Sequence, residues 1–459
     1  MSEGHQPETG NSGPRTKRTG RHRVVAPPGA KRAVAGRISW GLADQAVSSM
    51  TNFAVGIYVA RTLGVTEFGI FTLAWVTYGL VLNISRGLTT DPLVVRFSGV
   101  SAASWRAGVA RSSGTASLIG LVSGAVSVVL GLLIGGGIGA AFVALGLVFP
   151  MLLLQDSWRF AFFAAGQGRK AFVNDLVWGA ALIPALVIAA QHGSVFWFVV
   201  AWGISGGVAA GFGYFQTGVI PSMAAAGAWL RQQRDLGPRY LMENVSNSGA
   251  SQLRMYGLGA IAGLSEVGAI RGAELLLGPF LAVLMGLSLV AVPEAARILR
   301  RAPHRLPRFC LLLGGSQAAA ALVWGCTLLL IPDSAGEFVL DSVWEPASTL
   351  ILPVTLSVTG AGLVAGAASG LRALGAARRS LRSQLIASSG YLAGGLAGAS
   401  VAGALGASWG SATAIWCGAA IWWCQLRIAH REHETATTDR FERTDERTAQ
   451  AGRDEMRTP

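Results

Sequence analysis

Glu243, Asn247, Ser251 and Arg254 stand at spacings of 4, 4 and 3 inside an otherwise apolar run. That spacing sets all four side chains on one face of an α-helix. Their types point to two kinds of chemistry. A guanidinium holds a phosphate by two parallel hydrogen bonds, and a carboxylate takes up a proton or a cation. Asp44, Ser48 and Asn52 repeat the pattern on an earlier run. At bilayer depth a charged side chain costs roughly 2.5–3.5 kcal/mol on insertion scales. Neither face therefore looks at lipid. Both line a wet interior where they meet a ligand, or they serve as hydrogen-bonding glue between helices. A buried arginine is expensive glue, which favours the cavity. Arg254 lies about 15 residues into its helix, roughly 21 Å from the helix start.

The runs that must position these residues define the fold class. Of 459 residues, 51% are hydrophobic and 13% charged, against about 25% charged in soluble domains. Between Arg37 and Arg427 we count twelve apolar runs, each long enough to cross a ~30 Å hydrocarbon core. The expected fold is an all-α polytopic membrane protein with twelve transmembrane helices. The net charge of +13 follows topology, not nucleic acid. Lys and Arg crowd alternate connections (Arg86 to Arg111, Arg159 to Lys170, Arg231 to Arg239, Arg297 to Arg308, Arg372 to Arg382). The opposite connections carry only Arg61 and Arg271, and their longest, 332–346, is purely acidic. The positive-inside rule then puts both termini in the cytoplasm. Residues 1–36 read as a disordered basic cytoplasmic tail and 429–459 as a second solvated, disordered tail. Cys310, Cys326, Cys417 and Cys424 show no ligand-like pairing and read as packed free thiols.

The two polar stretches are related. GVTEFG (64–69) matches GLSEVG (263–268) at an offset of 199, and the same offset sets Asp44 on Glu243, Ser48 on Asn247 and Asn52 on Ser251. DPLVVR (91–96) parallels VPEAAR (292–297), and AAGQGRK (164–170) parallels RALGAARR (372–379). Three matches in one order imply duplication: a six-helix lobe over 37–220, a cytoplasmic linker over 221–237 and a second six-helix lobe over 238–428. Six is even, so the lobes are parallel repeats about an axis along the membrane normal, with substrate carried in the central cleft between them.

Other charges have plainer readings. Asp156 and Arg159 are spaced i, i+3 and are expected to neutralise each other, as are Arg271 and Glu274. Glu67 and Glu266 suit helix N-termini. There is no GxxxxGK[ST] loop and no paired-histidine site. No enzyme activity, cofactor or metal is expected, and the 15-residue acidic connection is short for a membrane glycan polymerase or ligase.

Two sixes of spans, a polar first span and then VARTLGVTEFGIFTLA (59–74), with GQGR at 166–169, together resemble the bacterial polysaccharide flippases. These belong to the multidrug/oligosaccharidyl-lipid/polysaccharide exporter (MOP) superfamily. The resemblance covers about 37–428. It implies two lobes that open alternately to each face, and a cargo of oligosaccharide on polyprenyl diphosphate moved to the outer leaflet of the bacterial cell membrane. It also implies the lipid bilayer and polysaccharide-assembly proteins as partners. On this reading the cleft residues are Arg254, Glu243, Asn247, Ser251, Asp44, Ser48 and Asn52, and Asp44 and Glu243 are the candidate sites for a coupling Na⁺ or H⁺. The membrane potential is an alternative source of energy, since moving two negative charges outward across 100 mV gains about 4.6 kcal/mol. A drug or cation antiporter of the same superfamily competes, with Asp44 as the proton-coupled acid; Arg254 argues against it by repelling cations. A non-transporting scaffold is the third reading.

Overall fold

The computed structural model describes the backbone of residues 30–455 and the side chains of residues 39–435, apart from Leu42, Glu243, Asn247, Pro279, 282–290 and Pro293. Among the described residues every regular element is helical. The first half holds α1 (Ala30–Leu88), α2 (Thr90–Phe97), α3 (Ala102–Ile134), α4 (Gly136–Ala164), α5 (Gly168–His192) and α6 (Val195–Thr217). A connection carrying α7 (Ala226–Gln232) leads to α8 (Gly237–Ile261), α9 (Leu264–Arg301) and α10 (Leu306–Leu329). Next come α11 (Asp333–Leu340), α12 (Trp344–Ser348), α13 (Ile351–Ala373) and α14 (Ala377–Glu455). Two of these are interrupted: α1 at Gly64 and α14 at Ala402 and Gly403. Among the described residues, eight helices are long and apolar enough to cross a membrane. α8 and α9 fall outside that set, α8 because its polar stretch breaks the apolar run.

The sequence matches recur as matched backbone geometry. Gly64 adopts φ 76° and ψ 172°, and Gly263, its counterpart, φ 105° and ψ 171°. A side chain is strained there, so each glycine lets the chain leave one helix and start the next at a fixed angle. Just beyond, the helices cross backbone to backbone. A Cβ on Gly69 would stand 1.9 Å from the Leu264 carbonyl oxygen, and one on Gly268 would stand 2.0 Å from that of Val65. Both pairs obey the 199 offset, so the contact is reciprocal about a pseudo-two-fold axis. The ends of α4 and α13 close alike: Gln167 N–H donates to Phe162 O, and Ala376 N–H to Leu371 O.

Small residues also fold the long hairpins. Gly124 on α3 meets Gly146 on α4, and within α14 Gly398 meets Gly406 while Gly394 meets Gly410. Such approaches let helices associate in lipid, where apolar burial supplies no drive.

The structure adds to several of the sequence readings. The 221–237 linker is docked: Trp229 is fully buried and its Nε1–H donates to Leu88 O at 3.0 Å. Helix extends from Ala30 and through Glu455, so parts of both tails read as unstructured are helical; residues 1–29 and 456–459 lie outside the described residues. At the C-terminal end His430 Nε2 meets Glu434 Oε1 at 3.2 Å, an i, i+4 contact along the helix. Cys310 is buried, whereas Cys326, Cys417 and Cys424 are exposed, so only one thiol is packed. The acidic connection 332–346 is not a bare loop: Leu340, Val343 and Trp344 bury into the main core, and Arg61 stacks over Phe338 at 5.1 Å.

Candidate functional site

A cavity of about 600 Å³ opens between the two halves of the chain. Among the described residues of the first half, those that reach it belong to α1: Gln45, Ser49, Asn52, Phe53 and Trp75. The rest of the wall comes from α8, α9, α10, α13 and α14. Its charged described residues are Arg254, Arg271 and Glu274, one positive charge in excess.

Arg254 is 4% exposed, in the middle of α8. Its Nη2–H donates to Glu274 Oε1 at 3.1 Å, and its guanidinium lies 5.1 Å from the Tyr391 ring centre. Glu274 also accepts from Arg271 Nη1 at 3.3 Å, and Arg271 sits over Trp75 at 5.9 Å. One carboxylate is thus shared by two guanidinium groups. Arg254 Nε–H has no partner, nor have the buried Oγ atoms of Ser408 and Ser411. Leaving a buried donor unsatisfied costs about 1–3 kcal/mol, more when charged. The wall therefore offers an unpaired cationic donor, which an anionic oxygen would satisfy.

A second charged cluster lies inside the first half. Arg159 donates to Asp44 Oδ2 from Nε at 2.8 Å, and its Nε stands 3.5 Å from Asp175 Oδ2. Arg86 grips both oxygens of Asp156, from Nε to Oδ2 at 3.1 Å and from Nη2 to Oδ1 at 2.5 Å. Gln155 Nε2 donates to Asn174 Oδ1 at 3.1 Å and to Asp175 Oδ1 at 2.9 Å. Asn174 in turn donates to Ala209 O at 2.8 Å. α1, α4, α5 and α6 are bound together by this network. It holds three aspartates against two arginines.

No family model matches the chain, and no curated protein matches it. Solved structures do match in fold. A lipid II flippase, MurJ, in an inward closed conformation shares 12% identity at a TM-score of 0.65, over 86% of this chain and 87% of that one. An inward-facing multidrug resistance MATE family transporter of the MOP superfamily shares 15% identity at a TM-score of 0.60, over 84% of this chain and 96% of that one. A MOP superfamily transporter from Pyrococcus furiosus shares 14% identity at 0.53, over 87% and 96%.

The chain has the fold of the MOP superfamily transporters. Within that fold, and with eight helices among the described residues long and apolar enough to cross a membrane, it is a multi-pass membrane protein.

In this MOP-type fold the cavity takes up only some of the residues singled out in the sequence. Arg254 and Asn52 line it. Asp44 does not: it is 0% exposed and faces Arg159, with its second oxygen unpartnered. Ser48 borders a small gap beside Asp175 and Trp178. The α1 face toward the cavity is turned by one residue, so Gln45 and Ser49 stand where Asp44 and Ser48 were expected. Ser251 is exposed and donates to Ser248 O. The side chains of Glu243 and Asn247 lie outside the described residues.

The i, i+3 pairing of Asp156 with Arg159 is corrected. Each reaches across to another helix, because a bidentate or shared partner satisfies more of a buried charge than a neighbour on one helix. Arg271 and Glu274 do pair, but Glu274 also serves Arg254. Glu266 lies in the first turn of α9 as expected, and it also accepts from Ala404 N–H where α14 resumes after its break. α8 has a second polar face that does act as glue: Asn83 donates to Ser248 at 2.8 Å, Asn244 to Asp91 at 2.8 Å, and Tyr256 bonds Thr77. Sequence reasoning missed Asp175, Tyr391 and the role of Arg86. Asn174–Asp175 inside an apolar run was a readable signal; Tyr391 gave none.

Proposed function

We propose that this protein is a flippase that moves a polyprenyl-diphosphate-linked oligosaccharide from the cytoplasmic to the outer leaflet by alternating access, for cell-surface polysaccharide synthesis. The observation that carries the reading is the buried Arg254 in the wall of the central cavity, with an unpaired Nε–H and, among the described residues of that wall, one positive charge in excess. A guanidinium so placed suits a diphosphate and repels a cationic drug. Asp44, the acid an antiporter would need in the cavity, is sequestered behind Arg159.

In this reading the breaks in α1 and α14 make each of them cross twice, and α8 and α9 complete twelve spans in two lobes, 37–220 and 238–428. The reciprocal Gly69–Gly268 contact supports a pivot between them. Arginine-bearing connections face the cytoplasm of a bacterial cell, with both termini on that side. The first-half cluster, with one more acid than base, is where a coupling H⁺ or Na⁺ joins the cycle through Asp44. Glu243 remains the candidate of the second lobe. The bilayer and polysaccharide-assembly proteins are the partners.

The test is transport in proteoliposomes of a labelled polyprenyl-diphosphate oligosaccharide, beside efflux of a cationic dye. Oligosaccharide flipping that Arg254→Gln abolishes supports the reading; dye efflux without flipping sinks it.

A further inference from the structure

A second chamber, of about 220 Å³, lies behind the central cavity in the second half. The two share wall residues Gln317, Ala361 and Ala365. From there the chamber follows α13 to Arg372, eleven residues beyond Ala361 and so about 16 Å along the helix. Its polar wall is rich in donors. Gln317 is 3% exposed and its Nε2 has no partner; Trp422 is 1% exposed and its Nε1 has none either. Arg372 is exposed, in the last turn of α13, and among the described residues no carboxylate pairs with it or stands in this wall. Ser369 already gives its hydroxyl proton to Ala365 O.

Buried N–H groups without acceptors are rare in folded proteins. Two of them in one wall with a guanidinium that no described carboxylate pairs, in a chamber of this size, form a set that lacks an acceptor of negative charge. Phosphate oxygens are such acceptors, and Arg with neutral N–H donors is the usual way to hold them. We infer that this chamber binds a phosphate or diphosphate group through Arg372, Trp422 and Gln317, as an entry subsite before Arg254. The inference rests on the reading of the central cavity as a path for an anionic headgroup. Gln317, in both walls, is the residue that a group passing between the subsites keeps in contact with.

The test is titration of the purified full-length protein, in nanodiscs of neutral phosphatidylcholine, with inorganic diphosphate, read by calorimetry. Arg372→Gln should weaken binding about tenfold or more, Arg372→Lys less, and Trp422→Phe and Gln317→Leu several-fold each. Monodispersity on size exclusion keeps folding apart from binding, and Trp422→Phe removes the donor with little loss of packing. If Arg254→Gln removes all binding while Arg372→Gln changes nothing, the chamber is overturned and the central site stands. If Arg372→Gln removes it and Arg254→Gln does not, the chamber stands and the central site falls. No binding to the unaltered protein at millimolar diphosphate overturns the chamber. Repeating the titration in phosphatidylglycerol nanodiscs identifies the source: weaker diphosphate binding there marks a lipid headgroup as the occupant, and unchanged binding marks a free phosphate compound.

Discussion

The first half keeps its buried charges to itself, while the second half turns its own toward the cavity. Asp44, Arg159, Asp175, Asp156 and Arg86 pair across α1, α4 and α5, and none of the five lines the cavity. Arg254, Glu274 and Arg271 all line it, and Arg254 keeps a free donor. Equivalent positions thus sit differently: Asp44 is held inside its own half by Arg159, and the helix that carries its counterpart, α8, supplies the cavity-lining Arg254. Two halves that share a helix crossing allow this, because each half need only keep that crossing. The polar groups beyond it are free to differ.

If that contrast holds, Arg159→Leu has the largest effect on the folded protein. It leaves Asp44 and Asp175 without their cation, and breaking a buried pair costs about 3–5 kcal/mol. Membrane abundance and thermal stability in detergent should both collapse. Asp44→Asn should be tolerated better, since it leaves two acids for two bases. A more severe loss from Asp44→Asn than from Arg159→Leu would reverse the role given to this cluster.

Next come Gly69→Ala and Gly268→Ala, which drive a methyl group into the opposite backbone. Overpacking typically costs about 1–3 kcal/mol, and here no flexible side chain can give way. Reciprocity demands similar losses in the two variants, measured by thermal shift. A clear inequality would break the pseudo-two-fold account.

Arg254→Ala should lower stability by less, because Glu274 keeps Arg271 as its partner and is partly exposed. Abundance should stay near normal while surface-polymer export is lost, and Arg254→Lys should keep charge but export poorly for want of bidentate geometry. Normal export by the alanine variant would remove Arg254 from the substrate path. The smallest effect belongs to Asp235→Asn. Its exposed pair with Arg96 at 2.6 Å should leave both abundance and export unchanged, since surface ion pairs contribute little.

The helices themselves were legible in the sequence. Apolar runs of the length of a bilayer leave no alternative, because backbone polar groups in lipid must be bonded within the segment. The matched crossing was legible too, since GVTEFG and GLSEVG preserve the glycines that it needs. So was the cavity-facing position of Arg254, from the cost of setting an arginine against lipid. Less legible was the orientation of α1. Asp44, Gln45, Ser48, Ser49 and Asn52 spread polarity over a wide arc, and a one-residue step turns a helix by about 100°.

The amino-acid sequence by itself determined that this chain crosses a membrane many times, that its two halves carry one glycine pattern, and that charges lie within its long helices. Each of these follows from local properties: run length, spacing and residue type. Only the tertiary structure decided which charge meets which. Asp156 chose Arg86, seventy residues away, over Arg159 three residues away; Arg159 chose Asp44 and Asp175; and Glu274 took two arginines. Ion pairs in a bundle form between facing helices, and which helices face each other is set by glycine crossings and packing. A single helix's spacing carries no record of those contacts.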